Sequence, residues 1–257
     1  MKIEDYYNSY DEENRLLSRY GMAEFVTTMY YIEKYTTPDS RIIEIGAGTG
    51  RYSHALAKKG YCVDAVELVE HNIEIFKEKI TPEENITIWQ GNATDLYDFK
   101  DNQYDITLLL GPMYHLFTEE EQIKALLEAY RVTKQGGIIF SAYCMGDAAI
   151  LTHGFVRNKI KEIMCDCRLD DNFNKFISPW GIFQLYRAED IIKLRNKLNV
   201  KSLHIVGADG YSNHMREMLE NMDEETFQLY LKYHLATCER TDMLGISHHT
   251  LDIFRKE

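Results

Sequence analysis

The chain has 257 residues, 45% of them hydrophobic, enough to bury a full core in one large domain and too much for a disordered chain. Its longest apolar runs are strand-sized and its first residues lack the basic-then-apolar pattern of a leader, so the expectation is a cytoplasmic protein with no membrane span. The formal net charge is −12 and no run of Lys or Arg forms a stripe, which disfavours nucleic acid as a partner and leaves a small molecule as the default.

In chain order, residues 15–35 read as an amphipathic helix with Gly21 as a break, stopped by Thr36-Thr37-Pro38, within a helical N-terminal arm at 1–40. From Ile42 to Tyr143, β-rich runs at 42–45, 62–67, 86–89, 104–110 and 137–143 alternate with helix-period segments at 51–59, 70–80 and 119–134. That alternation implies parallel strands joined by crossover helices, the α/β class. Gly60 stands where a glycine ends a helix; Thr118 to Glu121 forms a capping box, and Gly136-Gly137 closes the helix it opens. Residues 145–187 carry Phe155, Phe173, Phe176, Trp180, Phe183 and Tyr186 with no clean period. A helix at 189–199, a strand at 201–207, a mostly helical stretch at 213–240 and a last strand at 248–254 complete one domain. The five cysteines, at 62, 144, 165, 167 and 238, are scattered, and Cys165-Asp166-Cys167 supplies only half a tetrahedral site, so no metal is expected.

The first strand runs into Gly46-Ala47-Gly48-Thr49-Gly50. A dinucleotide fingerprint would place its third glycine at 51, where Arg51 stands, and no P-loop pattern occurs. Glu67 ends the second strand, where a carboxylate can accept from both hydroxyls of a ribose. Close backbone approach, a ribose acid and no phosphate cradle suit an adenosine whose 5′ substituent is not a phosphate.

Glu44-x-Gly46-x-Gly48-x-Gly50, Glu67, the run Gly91 to Leu96, the run Tyr104 to Gly111 and the stretch Arg131 to Gly137 together resemble the successive motifs of class I S-adenosylmethionine-dependent methyltransferases. The resemblance covers about 41–143, and Leu108-Leu109-Leu110-Gly111-Pro112-Met113-Tyr114-His115-Leu116 is similar to a bacterial subgroup acting on small molecules. It implies a doubly wound Rossmann-like, seven-stranded, mostly parallel sheet with N-terminal helices. The cofactor-binding core would be 41–144, a lid insertion after the fifth strand 145–187, and the rest of the sheet 188–257. It implies S-adenosyl-L-methionine as cofactor, with Gly46, Ala47, Gly48 and Gly50 under the methionine and ribose parts. Glu67 would sit on the ribose hydroxyls, Leu68 against adenine and Leu110 along the site. Asn92, in place of the more frequent aspartate, would reach the adenine amino group through its carbonyl, with Ala93 offering its N–H. Glu44 would organise the loop and the methionine amino group; Tyr7 or Arg15 of the N-terminal arm would reach the methionine carboxylate.

The activated methyl asks mainly for alignment and exclusion of water. His115, after the fourth strand, is the first candidate for a general base, Tyr114 and Tyr143 are orienting candidates, and His153, Asp209 and His214 are weaker ones. The expected activity is in-line transfer to O or N of a small molecule. Gly111-Pro112-Met113-Tyr114 departs from the Asn-Pro-Pro-Tyr type used on adenine or glutamine nitrogen. An RNA or protein methyltransferase and a non-catalytic cofactor-binding module are the alternatives, and the oligomeric state stays open.

Overall fold

Strand β1 (Arg41–Ile45), β2 (Cys62–Glu67) and β4 (Tyr104–Leu109) bury their residues on both faces almost without a break, as strands inside a parallel sheet do. β3 (Ile86–Gln90) is largely exposed or half-buried and takes an edge. With β5 (Thr133–Cys144), β6 (Val200–Gly207) and β7 (His249–Lys256), the order across the sheet is β3-β2-β1-β4-β5-β7-β6. β7 runs antiparallel to β5 and β6, and the other pairings are parallel. This is the expected seven-stranded, mostly parallel, doubly wound sheet. The structure, a computed structural model, describes residues 17–166, 169–173 and 181–257, so Tyr7, Arg15, Cys167, Phe176 and Trp180 lie outside the described residues.

Neighbouring residues along a strand point to opposite faces. Ile43, Ile45, Leu109 and Ile139 therefore pack on one side with Leu126 and Ala129, and Ile42, Leu108 and Phe140 on the other with Tyr31, Ile32 and Leu56. The helices of these layers are α1 (Arg19–Tyr35), α2 (Arg51–Ala57), α3 (Glu70–Lys79) and α4 (Glu119–Val132). Gly21 does not break α1: it lies in the first turn, donating its N–H to the Ser18 hydroxyl that caps the helix. The Thr118 and Glu121 capping box forms as expected, but the helix it opens ends at Val132 and passes directly into β5, with Gly136 and Gly137 inside the strand.

After β5 come α5 (Gly146–Ala149), a π-helical segment (Ile150–Val156), α6 (Ile160–Cys165) and α7 (Ala188–Arg195). The stretch expected as one helical region at 213–240 is two helices, α8 (Arg216–Glu220) and α9 (Glu224–Thr237). Asp223 separates them because its carboxylate accepts from the N–H of Thr226 and caps the second. Leu219, Phe227 and Leu231 of this pair pack on Ala23, which docks α1 against α8 and α9. No helix among the described residues is long and apolar enough to cross a membrane.

Candidate functional site

Strand order reverses between β1 and β4, so their loops part and leave a crevice at the C-terminal edge, where doubly wound sheets bind ligands. A cavity of about 370 Å³ opens there. Gly46, Gly48 and Gly50 all have positive φ, but for different reasons. A Cβ on Gly46 would come within 2.4 Å of Pro112 Cδ and 2.8 Å of the Leu110 oxygen, so glycine lets the two loops touch. On Gly50 it would strike the Phe76 ring at 2.7 Å; on Gly48, which lines the cavity, it would meet nothing within 4 Å.

Glu67 is buried at the cavity wall. Its carboxylate accepts from Gly48 N at 2.8 Å, Val69 N at 2.9 Å and Asn72 Nδ2 at 3.3 Å, which tie the strand end to the glycine loop. Burial raises its pKa above the ordinary value, against the pull of these donors. Glu44, also on the lining, accepts from the Ser53 hydroxyl, and burial pushes its pKa up to about 8. Leu68, 41% exposed, presents an apolar surface to the cavity, with Ala47, Ala93 and Leu110 beside it. Asn92 is on the lining too, but its Oδ1 accepts from both Thr94 N and Thr94 Oγ1 at 3.0 Å. Its carbonyl thus organises the turn, which weakens the expected reach to an adenine amino group.

At the other end stand Tyr114 and His115, supplied by the short turn Pro112–Tyr114 after β4. The His115 Nδ1–H donates to the Ile182 carbonyl at 2.7 Å, and Gln184 N donates to the Tyr114 carbonyl at 2.6 Å, so residues 181–184 close this end. Burial lowers the His115 pKa, outweighing that hydrogen bond. Tyr143 does not join them: it is wholly buried against Tyr186, 5.0 Å between ring centres, because β5 turns that side chain into the core. His153, Asp209 and His214 are absent from the cavity lining.

Sequence reasoning missed Glu24, Arg51 and Tyr52, which line the cavity. Arg51 lies over the Phe25 ring at 4.4 Å and Phe25 stacks on Tyr52 at 5.3 Å, clamping α1 onto the glycine loop. The only sequence signal was negative, Arg51 standing where a dinucleotide site needs glycine. The buried Arg51 Nε finds no hydrogen-bond partner among the described residues. A buried donor of this kind suits a ligand carboxylate, and Glu67 suits a ribose, so these residues fit an adenosine bearing an amino acid.

A family model described as a methyltransferase domain matches residues 43–141. The chain is similar to the demethylmenaquinone methyltransferase of Clavibacter sepedonicus, 31% identical over 182 residues that cover 67% of this chain and 72% of that protein. It is also similar to YqeM of Bacillus subtilis (strain 168), 27% identical over 110 residues, 42% of this chain. It spans 44% of the length of YqeM, and 40% of a Geobacillus relative. Among solved structures, the PH0226 protein of Pyrococcus horikoshii OT3 superposes with a TM-score of 0.62 at 14% identity, covering 100% of both chains. The CcbJ methyltransferase of Streptomyces caelestis gives 0.60 at 13% identity, covering 99% of this chain and 96% of that one. At such identities the structural likeness is one of fold.

Proposed function

Because the chain belongs to the class I S-adenosylmethionine-dependent methyltransferases and uses S-adenosylmethionine, we propose that it methylates an oxygen or nitrogen of a small molecule held in the same cavity. The observation that carries this reading is the continuity of the site. One cavity runs from Glu67 and the glycine loop to Tyr114 and His115, where residues 181–184 cover it. A covered end admits a small acceptor more readily than a polymer, and the net charge of −12 does not favour a polyanion. A cytoplasmic enzyme without nucleic-acid or membrane partners is part of the same reading.

In this reading Glu67 receives the ribose hydroxyls, Leu68 flanks adenine, Ala93 presents its N–H to the base, and Arg51 meets the methionine carboxylate; Glu44 answers the amino group. The expected parts of Tyr7 and Arg15 remain proposals. S-adenosylmethionine supplies an activated sulfonium methyl, so the protein's share is to align the acceptor and exclude water. With Nδ1–H spent on Ile182, the Nε2 of His115 is the ring's proton acceptor, and its lowered pKa keeps the ring neutral at neutral pH. Residues 145–187 act as the cover, of which 181–184 make the contacts described above.

Likeness to the demethylmenaquinone methyltransferase and to a ubiquinone/menaquinone biosynthesis C-methyltransferase favours a second reading, in which the acceptor atom is a carbon. Incubation with methyl-¹³C-labelled S-adenosylmethionine and a small-molecule extract, RNA or protein in parallel separates the cases. Label on O or N of a small product is expected. Label on carbon selects the second reading, and label confined to RNA or protein refutes both. His115→Ala should lower kcat by roughly 10²–10⁴-fold with cofactor affinity nearly unchanged if His115 takes the proton.

A further inference from the structure

Beside Tyr114, the cavity wall includes Glu24, and behind Glu24 stands a group of side chains that cofactor binding does not employ. They come from distant parts of the chain. Glu24 arrives on α1, Asp209 follows β6, and His249 opens β7, whose antiparallel course brings its first residue to the C-terminal edge opposite Cys144. His249 Nδ1 lies 2.8 Å from Asp209 Oδ2 and 3.3 Å from Glu24 Oε2, and its ring centre is 5.8 Å from that of Tyr114.

Asp209 is fully buried and richly solvated by the protein. Its Oδ1 accepts from Ser247 Oγ at 2.6 Å, His248 N at 2.8 Å and His249 N at 3.1 Å, and its Oδ2 accepts from Asn213 Nδ2 at 2.7 Å. Burial opposes its charge, yet His249 and these donors hold the carboxyl well below the ordinary carboxylate range. Burial likewise opposes an imidazolium at His249, but the facing Glu24 and Asp209 raise its pKa well above the ordinary value. One imidazolium thus stands between two carboxylates. The neighbouring His248 and His153, pushed by burial down to about 3 and about 4, are neutral and add no positive charge beside it.

We propose that Glu24, backed by His249 and Asp209, is the docking carboxylate for a cationic acceptor, an amine whose ammonium group enters beside Tyr114. This deepens the small-molecule reading and rests on it. An ammonium has no lone pair to attack with, so it first passes one proton to the Glu24 carboxylate. The freed pair then forms the N–C bond as the S–C bond breaks, its electrons remaining on sulfur. The products are the N-methylated ammonium, neutral S-adenosylhomocysteine and a protonated Glu24, which returns its proton to water.

The test uses the full chain saturated with S-adenosylhomocysteine, titrated calorimetrically with phenethylamine, 2-phenylethanol and phenylacetate, which share a ring and differ in charge. The amine should bind about tenfold or more tightly than the alcohol, with the carboxylate weakest. Glu24→Gln should erase that order and Glu24→Asp restore part of it, with folding checked by circular dichroism. Absence of any preference for the amine in the parent, or its persistence in Glu24→Gln, overturns the proposal. The donor atoms of the trio lie within 4.8 Å of one another, a spacing that could also suit a metal ion. Stoichiometric binding of MnCl₂ that Glu24→Gln abolishes would therefore overturn it too. Since the readout is binding, a charge preference without transfer to any small molecule refutes only the proposed function. Transfer to a neutral acceptor with no charge preference refutes only this inference.

Discussion

Removing the Glu67 carboxylate should cost the protein twice, once in folding and once in cofactor binding. In Glu67→Ala three donors, Gly48 N, Val69 N and Asn72 Nδ2, lose the acceptor they share at 2.8–3.3 Å. A hydrogen bond to a charged group contributes roughly 1.5–3 kcal/mol, but burial of this carboxylate, which raises its pKa, offsets part of the sum. A net loss of about 2–4 kcal/mol in unfolding stability is expected. Loss of the two proposed ribose contacts should be of similar size and weaken S-adenosylhomocysteine by roughly 30-fold to several-hundred-fold. Glu67→Gln is no gentle variant here. Whichever way its amide is turned, the NH₂ faces a backbone N–H, from Gly48 on one side or Val69 on the other. Urea unfolding with and without S-adenosylhomocysteine, together with calorimetry, separates the two effects. If Glu67→Ala keeps the parental urea midpoint and binds within about twofold of the parent, the strand-end acid neither ties the loop nor holds the ribose.

Two further outcomes follow from the same wall. Gly46→Ala, with a Cβ 2.4 Å from Pro112 and φ of +80°, should lose roughly 3 kcal/mol or more, whereas Gly48→Ala, with open space around its Cβ, should lose only about 1 kcal/mol of left-handed strain. Equal thermal unfolding temperatures for the two variants would refute the close-approach argument. For Glu44, burial places the folded pKa at about 8 against an ordinary 4.5, so between these values the folded chain keeps a proton that the unfolded chain has released. Stability should therefore fall as pH rises through that window, and Glu44→Gln should remove this part of the slope. Identical pH profiles for parent and variant in thermal unfolding would contradict it.

What could be read from the sequence is what the chain builds from near neighbours. A buried strand, a glycine turn and an acid closing the next strand form one β-α-β unit, and the right-handed crossover brings Gly48 and Glu67 within a hydrogen bond without help from the rest of the molecule. Capping at Thr118 is equally local, a matter of residues three apart. The acceptor end is different. Tyr143 stands near the end of β5 yet turns into the core, while Tyr114 faces the cavity, a choice made by packing against Tyr186. Asp209 is legible in the sequence only as a weaker candidate base, and its meeting with Glu24 and His249 gave no local signal because no periodicity links a helix near one end of the chain to a strand near the other. Local chain order thus determined the fold class and the cofactor loop. Only the docking of α1 and the antiparallel return of β7 decided which charges meet beside Tyr114, because long-range side-chain contacts depend on how whole elements pack.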